Sequence, residues 1–405
     1  MQYPKSMTTY LFLSLLIPTA AFTLFYLLLF VYFISGWRRL TVFTGTQYKE
    51  AIRFSIIIPA RNEENNLADC INGILRQDYP MQAYEIIVVD DCSEDNTAKI
   101  AMDMAAQYPL APIKIIRLNE RKDLPLNSFK KFALGKGIAE SQFPWIITTD
   151  ADCAHPKYWL ASFASFIEKY GPVMVSGPVL LTSPPAPLLR RGESPTDFFS
   201  TVQALEFSGL IAIGGACMQH QSPNLCNGAN LAYRKDVYYE VDGYKGIDDI
   251  ASGDDELLMH KIAAKYKDKV MFLKSKEAIV TTEPQPDLKA FIQQRKRWVS
   301  KSRKYSKKGI TYILSAAYVF NFLLAANLLL SFYSAYFLLL FGASLVVKLA
   351  VEYIFLSSAV KFMGQKHLMQ IHLFLPASLL YIPYVLFIGI YGNFGRYNWK
   401  GRNVK

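Results

Sequence analysis

The sequence predicts an α/β domain, a mostly parallel sheet with flanking helices, held between transmembrane helices at the two ends of the chain. Three observations lead there. Long uncharged apolar runs lie near both ends. Between them, short apolar runs rich in β-branched residues alternate with stretches of helical periodicity. Several of those short runs end in acidic residues, at the carboxyl ends of strands where ligands bind in such sheets.

The composition agrees. Of 405 residues, 52% are hydrophobic and 19% charged, and 14% are aromatic, which excludes a disordered chain. Lys and Arg number 44 against 33 Asp and Glu, a net charge of +11. Such a surplus suits nucleic acid, a membrane surface or an anionic substrate, and its position must decide. The cysteines (Cys70, Cys92, Cys153, Cys217, Cys226) are scattered, with no CxxC or Cys/His spacing. Reduced thiols and no zinc site are expected.

Tyr10 to Trp37 carries no charge and exceeds the roughly 20 residues that cross a bilayer. It lacks a small-residue cleavage site after a short apolar core, which predicts a signal anchor rather than a removed signal peptide. Residues 310–347 form a second uncharged run, too long for one span, with Ser331 and Ser334 marking a turn. Residues 373–395 form a third, interrupted by Pro376 and Pro383. Lys348 and Glu352, four apart, are placed to pair on one helix face.

Lys5 precedes the first run, and Arg38, Arg39, Lys49 and Arg53 follow it. Arg295, Lys296, Arg297, Lys301, Arg303, Lys304, Lys307 and Lys308 precede the second. Positive flanks on both sides predict a cytoplasmic domain in an integral inner (cytoplasmic) membrane protein. The basic run is either a solvated helix face or a contact with anionic lipid, and its place beside an apolar segment favours lipid. The basic tail (Arg396, Lys400, Arg402, Lys405) also points to the cytoplasm, whereas four full spans (10–36, 310–330, 332–358, 373–395) would leave it outside. The side of the C-terminus stays open. The expected division is an anchor at 1–37, a cytoplasmic domain at 38–290, a basic interfacial helix at 291–309, two or three membrane segments at 310–395 and a basic tail at 396–405.

Within the cytoplasmic region, Phe54–Pro59 is a fully apolar strand. The polar turn 61–66 follows, then Leu67, Ile71, Ile74 and Leu75 at helical spacing. Tyr84–Val89 is a second strand ending in Asp90 and Asp91, with Ser93, Asp95 and Thr97 as cap candidates for a helix over 97–107. Ile113–Arg117 is a third strand, Phe129–Glu140 a helix, and Trp145–Thr149 a fourth strand ending in Asp150-Ala-Asp152. Residues 181–197, rich in Pro and charge, are an exposed loop.

Four constellations could carry chemistry. Asp150 and Asp152 point the same way in an extended segment, so their oxygens suit a hard divalent ion, Mg²⁺ or Mn²⁺; Asp is also common in a plain turn. Asp90 and Asp91, with Glu63, could accept hydrogen bonds from a base or ribose, or could cap helices. Gly253-Asp-Asp-Glu256 offers a general base, or acidic residues complementing a helix dipole. Gln294-Arg-Lys-Arg-Trp298 offers an Arg for a departing diphosphate, or a basic amphipathic helix resting on the membrane. A P-loop is excluded, because Asn227-Gly-Ala-Asn230 lacks its Gly-Lys-Ser/Thr, and no Ser/His/Asp arrangement stands out.

Together these residues resemble the family 2 glycosyltransferases, inverting enzymes of GT-A (Rossmann-like) fold, over roughly residues 52–300. Ile57-Ile-Pro-Ala-Arg-Asn-Glu63 is similar to the first nucleotide-binding strand and turn, and Val89-Asp-Asp-Cys-Ser-Glu-Asp-Asn-Thr97 to the family's VDDgSxDxT. Lys130 to Ile138 resembles KxxALNxGI, Asp150-Ala-Asp152 the DxD, Cys226 to Asn230 the acceptor-side loop, and Gln294 to Trp298 the QxxRW. Cys92 stands for the usual Gly, Gly135 for Asn, and Asp254 for the Glu before the base, with Glu256 a third carboxylate.

The resemblance implies a membrane-bound hexosyl- or N-acetylhexosaminyl-transferase. It would move a sugar from a nucleotide-sugar, a UDP-sugar by expectation, to a lipid or lipid-linked acceptor. A processive polysaccharide synthase that also translocates its product is the alternative. Donor binding would fall to Pro59, Arg61, Glu63, Asp90, Asp91, Lys130 and Asp150, and the divalent metal to Asp152 and Asp150. The base would be Asp255, with Asp254 and Glu256 as competitors. Gln294, Arg297 and Trp298 would meet diphosphate and acceptor. Membrane lipids are expected partners and nucleic acid is not.

Overall fold

The computed structural model describes residues 5–118, 128–182, 198–301, 305, 308–392, 397–400 and 402–404. The Pro-rich loop therefore lies almost wholly outside the described residues, as do Arg303, Lys304, Lys307, Arg396 and Lys405. The chain divides into two compact units, Gly36–Gln293 with Gly395–Lys405, and Met1–Ser35 with Gln294–Phe394.

Helix α1 (Lys5–Arg39) opens the chain, and its last residues, from Gly36, belong to the α/β unit. That unit is built on β1 (Phe54–Ala60), α2 (Leu67–Leu75), β2 (Tyr84–Asp90), α3 (Thr97–Gln107), β3 (Ile113–Arg117), α4 (Phe129–Glu140) and β4 (Trp145–Thr148). These elements match the predicted ones to within a residue or two. β1 and β2 are buried almost throughout, as strands covered on both faces by helices must be. α5 (Trp159–Tyr170), β5 (Met174–Ser176), β6 (Val179–Leu181), α6 (Phe198–Gln219), β7 (Leu231–Arg234), α7 (Lys235–Glu240), α8 (Glu256–Lys265), β8 (Val270–Phe272) and β9 (Val280–Thr282) follow.

The main sheet has seven strands in the order β3-β2-β1-β4-β7-β5-β8. β1, β2, β3 and β4 run parallel, and β7 is antiparallel to both β4 and β5. A second, parallel pair joins β6 to β9. The order places a crevice. From β1 the chain steps outward to β2 and β3, then returns through α4 to β4 on the other side of β1. The connections after β1 and β4 therefore diverge, leaving a gap at their carboxyl ends. α4 lies close over the sheet because residue 137 is glycine: a Cβ there would sit 2.6 Å from Ile57 Cγ2.

α6 lies within the stretch expected to form the cytoplasmic domain, 38–290. It is long and apolar enough to cross a membrane, yet 78% of its most apolar stretch is buried inside the structure, where it packs on β6 and β8. An apolar helix buried all round needs no polar face.

The helical unit contains most of α1 with α10 (Lys308–Leu330), α11 (Ala335–Phe362) and α12 (Ile371–Tyr391), each long and apolar enough to cross a membrane. α9 (Leu288–Ser300) begins in one unit and ends in the other. The C-terminal apolar region thus forms three helices. The break falls at the predicted serines, where Ser334 caps α11 by accepting from Tyr336 N–H. Tyr26 stacks on Phe320 at 4.2 Å, and Phe30 meets Phe355 edge-on. Polar groups in this bundle satisfy one another. Lys348 pairs with Glu352 at 2.7 Å, both buried, and the Tyr26 hydroxyl donates to Glu352 at 2.5 Å.

The chain ends in an antiparallel hairpin, β10 (Tyr397–Trp399) and β11 (Arg402–Val404), which belongs to the α/β unit.

Candidate active site

The turn after β1 is held by Arg61. Its buried guanidinium donates to the carbonyls of Asp91 at 2.9 Å and Cys92 at 2.5 Å, and pairs with Glu94 at 2.7 Å. Arg61 thereby ties the end of β1 to the end of β2, where Ala60 and Asp90 are already in register. The backbone is forced at both turns: Asn62 and Cys92 have φ of 53° and 55°. Cys92 occupies a left-handed position that favours glycine, the family's usual residue there. Asp90 accepts from Ser93 N–H at 3.3 Å, and Asp95 from both the amide and hydroxyl of Thr97. The acidic run is thus partly a capping network. Pro59 sits one residue before the end of β1.

Glu63 and Asp91 are both buried and both paired. Glu63 accepts from Asn66 at 2.9 Å and pairs with Lys400. Asp91 pairs with Arg402 at 2.7 Å. Burial pushes the Asp91 carboxyl above its ordinary range, against the pull of Arg402 and Arg61.

The turn after β4 carries Asp150 and Asp152. Lys130, from the first turn of α4, places its ammonium 2.6 Å from Asp150 Oδ1 and 3.4 Å from Asp254 Oδ2. One cation therefore joins the Asp-Ala-Asp turn to the acidic run before α8. Burial alone would lower the Lys130 pKa, but Asp150 and then Asp254 raise it above the ordinary lysine value, so it stays charged.

Asp255 is the N-cap of α8 and accepts from Glu256 N–H at 2.7 Å and Gly228 N–H at 3.0 Å. Thr148, at the end of β4, donates to the Gly228 carbonyl at 2.7 Å. A Cβ at residue 228 would fit tightly, 3.3 Å from Asp254 Oδ2 and 3.4 Å from Asp255 Cβ. Asp254 and Glu256 are buried, whereas Asp255 is partly exposed. Lys131, buried beside Lys130, donates to the carbonyls of Ile247, Ile250 and Ser252 at 2.6, 2.9 and 2.7 Å. It fixes the segment leading into Asp254.

The sequence profile of the family described as glycosyl transferase family 2 matches residues 55–228, the stretch holding β1 to β4 and both acidic turns. That stretch of the α/β unit is similar to a glycosyl transferase family 2 domain.

The chain is 28% identical to the glycosyltransferase AglE of Haloferax volcanii over 187 residues, 46% of this chain and 54% of that protein. It is 35% identical to a dolichol-phosphate mannosyltransferase of Pyrococcus furiosus over 107 residues, 26% of this chain and 27% of that one. It spans about half the length of the first of these relatives and about a quarter of the second. A mannosyltransferase from Pyrobaculum calidifontis, solved with GDP-mannose and Mn²⁺, shares the GT-A fold at a TM-score of 0.60. That similarity covers 92% of this chain and 98% of that one at 16% identity.

The turn after β4 offers carboxylate oxygens of the kind a hard divalent cation takes. Asp152 is exposed at the surface of the turn, and the protein packed around its carboxyl, with Asp150 and then Glu63 nearby, shifts that carboxyl upward. Crowded carboxylates of that kind are relieved by a cation, and their oxygens suit Mg²⁺ or Mn²⁺. Among the described residues no group of three or more His, Cys, Asp or Glu is spaced to hold a metal. The five cysteines are free thiols.

Gln294, Arg297 and Trp298 belong to the helical unit, so their assignment rests on the sequence pattern. There it is Arg295 whose guanidinium lies over the Trp298 ring, at 4.2 Å, and which donates to Gln294. Arg295 and Lys296 are buried, and Lys296 lies 4.5 Å over Tyr391. The sequence pattern gives Lys131 no site role and places Lys400 and Arg402 only in the basic tail. The tail cations meet carboxylates 337 and 311 positions away.

Proposed function

We propose that this chain is a membrane-bound inverting glycosyltransferase that moves a sugar from a nucleotide-sugar, a UDP-sugar in the first instance, to a hydroxyl of a lipid or lipid-linked acceptor. The observation that carries the reading is the bridge by Lys130 between Asp150 and Asp254. It gathers the acidic turn after β4 and the acidic run before α8 at one end of the sheet, where the family 2 domain has its crevice. Glu63 and Asp91, at the ends of β1 and β2, would take the base and ribose, with Pro59, Arg61 and Asp90 shaping their turns. Asp150 and Asp152 would hold a divalent cation.

Transfer is then a single displacement. Asp255, the partly exposed member of the acidic run, takes the proton from the acceptor hydroxyl. The oxygen attacks the anomeric carbon as the bond to the nucleoside diphosphate breaks, and the configuration inverts. Bound at the aspartates, the cation would supply charge to offset that building on the departing diphosphate. Lys130 holds Asp150 and Asp254 in place during the step. The four apolar helices outside the α/β unit, the mannosyltransferase relative named for dolichol phosphate and the positive flanks of the domain support a lipid acceptor and a cytoplasmic face of the inner membrane.

The test is a donor screen. Purified protein, membrane lipid extract and Mn²⁺ or Mg²⁺ are incubated with UDP- and GDP-sugars, and products are read by mass spectrometry. A lipid bearing one added sugar supports the reading. A polymer would replace it with a processive synthase, and no transfer from any donor would sink it.

A further inference from the structure

The last two strands of the chain deliver a pair of cations to the two carboxylates read above as the nucleoside's. Lys400 pairs with Glu63. Arg402 lies 2.7 Å from Asp91 Oδ2 through Nη1 and 3.2 Å from the Asp91 carbonyl through Nη2. Its guanidinium also rests 4.0 Å over the Phe129 ring at the start of α4. Arg61 closes the contact from the other side, donating through Nε to the Lys400 carbonyl at 3.2 Å.

These are not loose surface pairs. The side chains of Asp91 and Glu63 are only 8% and 10% exposed, and that of Arg402 only 17%. Exposed ion pairs contribute little, but a buried carboxylate stripped of its cation is strongly unfavourable. A guanidinium bonded through two nitrogens and stacked on a ring fixes the plane of its partner, which a point charge does not. Lys400 sits in the left-handed region, with φ of 46°, a strained turn held by the contacts around it.

We propose that the hairpin Tyr397–Val404 is a wall of the nucleotide subsite, with Arg402 and Lys400 as positioning residues. Arg402 orients Asp91, and Lys400 orients Glu63, to accept hydrogen bonds from a nucleoside. The proposal rests on the reading of Glu63 and Asp91 as nucleoside ligands.

The test uses the full chain in detergent, with UDP and GDP as calorimetric probes and donor KM and kcat as readouts. Arg402→Ala should weaken nucleotide binding about tenfold and raise donor KM with little change in kcat, and Lys400→Ala should do so more mildly. Arg402→Lys keeps the charge, guards against a folding failure and should restore part of the affinity. Combining Asp91→Asn with Arg402→Ala should weaken binding no more than Asp91→Asn alone. Weakening by Asp91→Asn but not by Arg402→Ala would overturn the proposal and leave the nucleoside reading standing. Tighter binding in Arg402→Ala would also overturn it, since the hairpin would then compete with the nucleotide. If neither Asp91→Asn nor Glu63→Gln weakens binding, the nucleoside reading fails and the proposal with it.

Discussion

Lys130 places its ammonium 2.6 Å from Asp150 while lying 3.4 Å from Asp254, so one side chain holds two acidic segments that are 104 residues apart in sequence. Both carboxylates are drawn from regions rich in negative charge, and removal of the cation leaves them facing each other. Lys130→Met is therefore expected to lower kcat/KM by about a hundredfold or more and to destabilise the fold, chiefly by leaving the buried Asp254 without its cation. Lys130→Arg should keep a larger part of both. Steady-state kinetics and thermal melts check this, and a fully active Lys130→Met protein would contradict it.

The choice of base follows from exposure. Asp254 is buried against Lys130 and Glu256 is buried, whereas Asp255 is partly open while capping α8. Asp255→Asn keeps an acceptor for only one of the two amides that its separate oxygens now serve, and loses the basic oxygen. The expected result is a drop in kcat of about 10²- to 10⁴-fold, the usual worth of a general base, with nucleotide affinity unchanged. Asp254→Asn should instead disturb the Lys130 bridge and raise donor KM. If Asp254→Asn alone abolishes turnover, the assignments exchange. Asp152→Ala should abolish transfer, and EDTA should do the same reversibly.

The first half of the fold was legible because its strands are buried on both faces. Ile56, Ile57, Ile86, Ile87, Val88, Ile146 and Ile147 are fully buried, so their segments read as unbroken apolar runs. β5 to β9 are three or four residues each, too short for any period to show. β7 pairs antiparallel between β4 and β5, a placement fixed by tertiary contacts. Asn230, fully buried, shows why: it accepts from Trp159 and donates to the carbonyls of Pro178 and Ala278, tying three distant segments. Asp150 and Asp254 were visible as residues, but their bridge by Lys130 depends on how α4 lies against β1 and β2. The tail cations were less visible still, since nothing local relates Arg402 to Asp91.

Cys92 gives a separate test of local strain. Its φ of 55° suits glycine, and an L-residue there costs about 1–2 kcal/mol. Its thiol lies 3.1 Å from the Leu118 carbonyl, a weak hydrogen bond. Cys92→Ala keeps the strain and loses that bond. Cys92→Gly loses the bond and relieves the strain, at the expense of a more flexible unfolded chain. The glycine protein should therefore be more stable than the alanine one by about 1 kcal/mol, read as a difference in melting temperature. Equal stability would mean that the strain is absorbed elsewhere.

His155 predicts how the domain fails in acid. Its ring is half-buried, tilted at 43° against Trp159 with centroids 4.3 Å apart, and Nε2 lies 2.8 Å from the Thr149 hydroxyl next to Asp150. Burial lowers its pKa from the ordinary 6.5 to about 3. The folded-state value is depressed, so the unfolded chain binds the proton more readily between these two values. The neutral ring's contribution to stability is fully present above pH 6.5 and is lost as the pH falls through 3. In that window the linkage is worth about 1.4 kcal/mol per pH unit. His155→Gln cannot titrate there. Wild type should lose melting temperature on acidification from pH 6.5 towards 4 more steeply than His155→Gln, although the substitution lowers stability at neutral pH by removing packing on Trp159. Parallel pH profiles for the two proteins would show that the imidazole takes up its proton without unfolding the turn that carries Asp150.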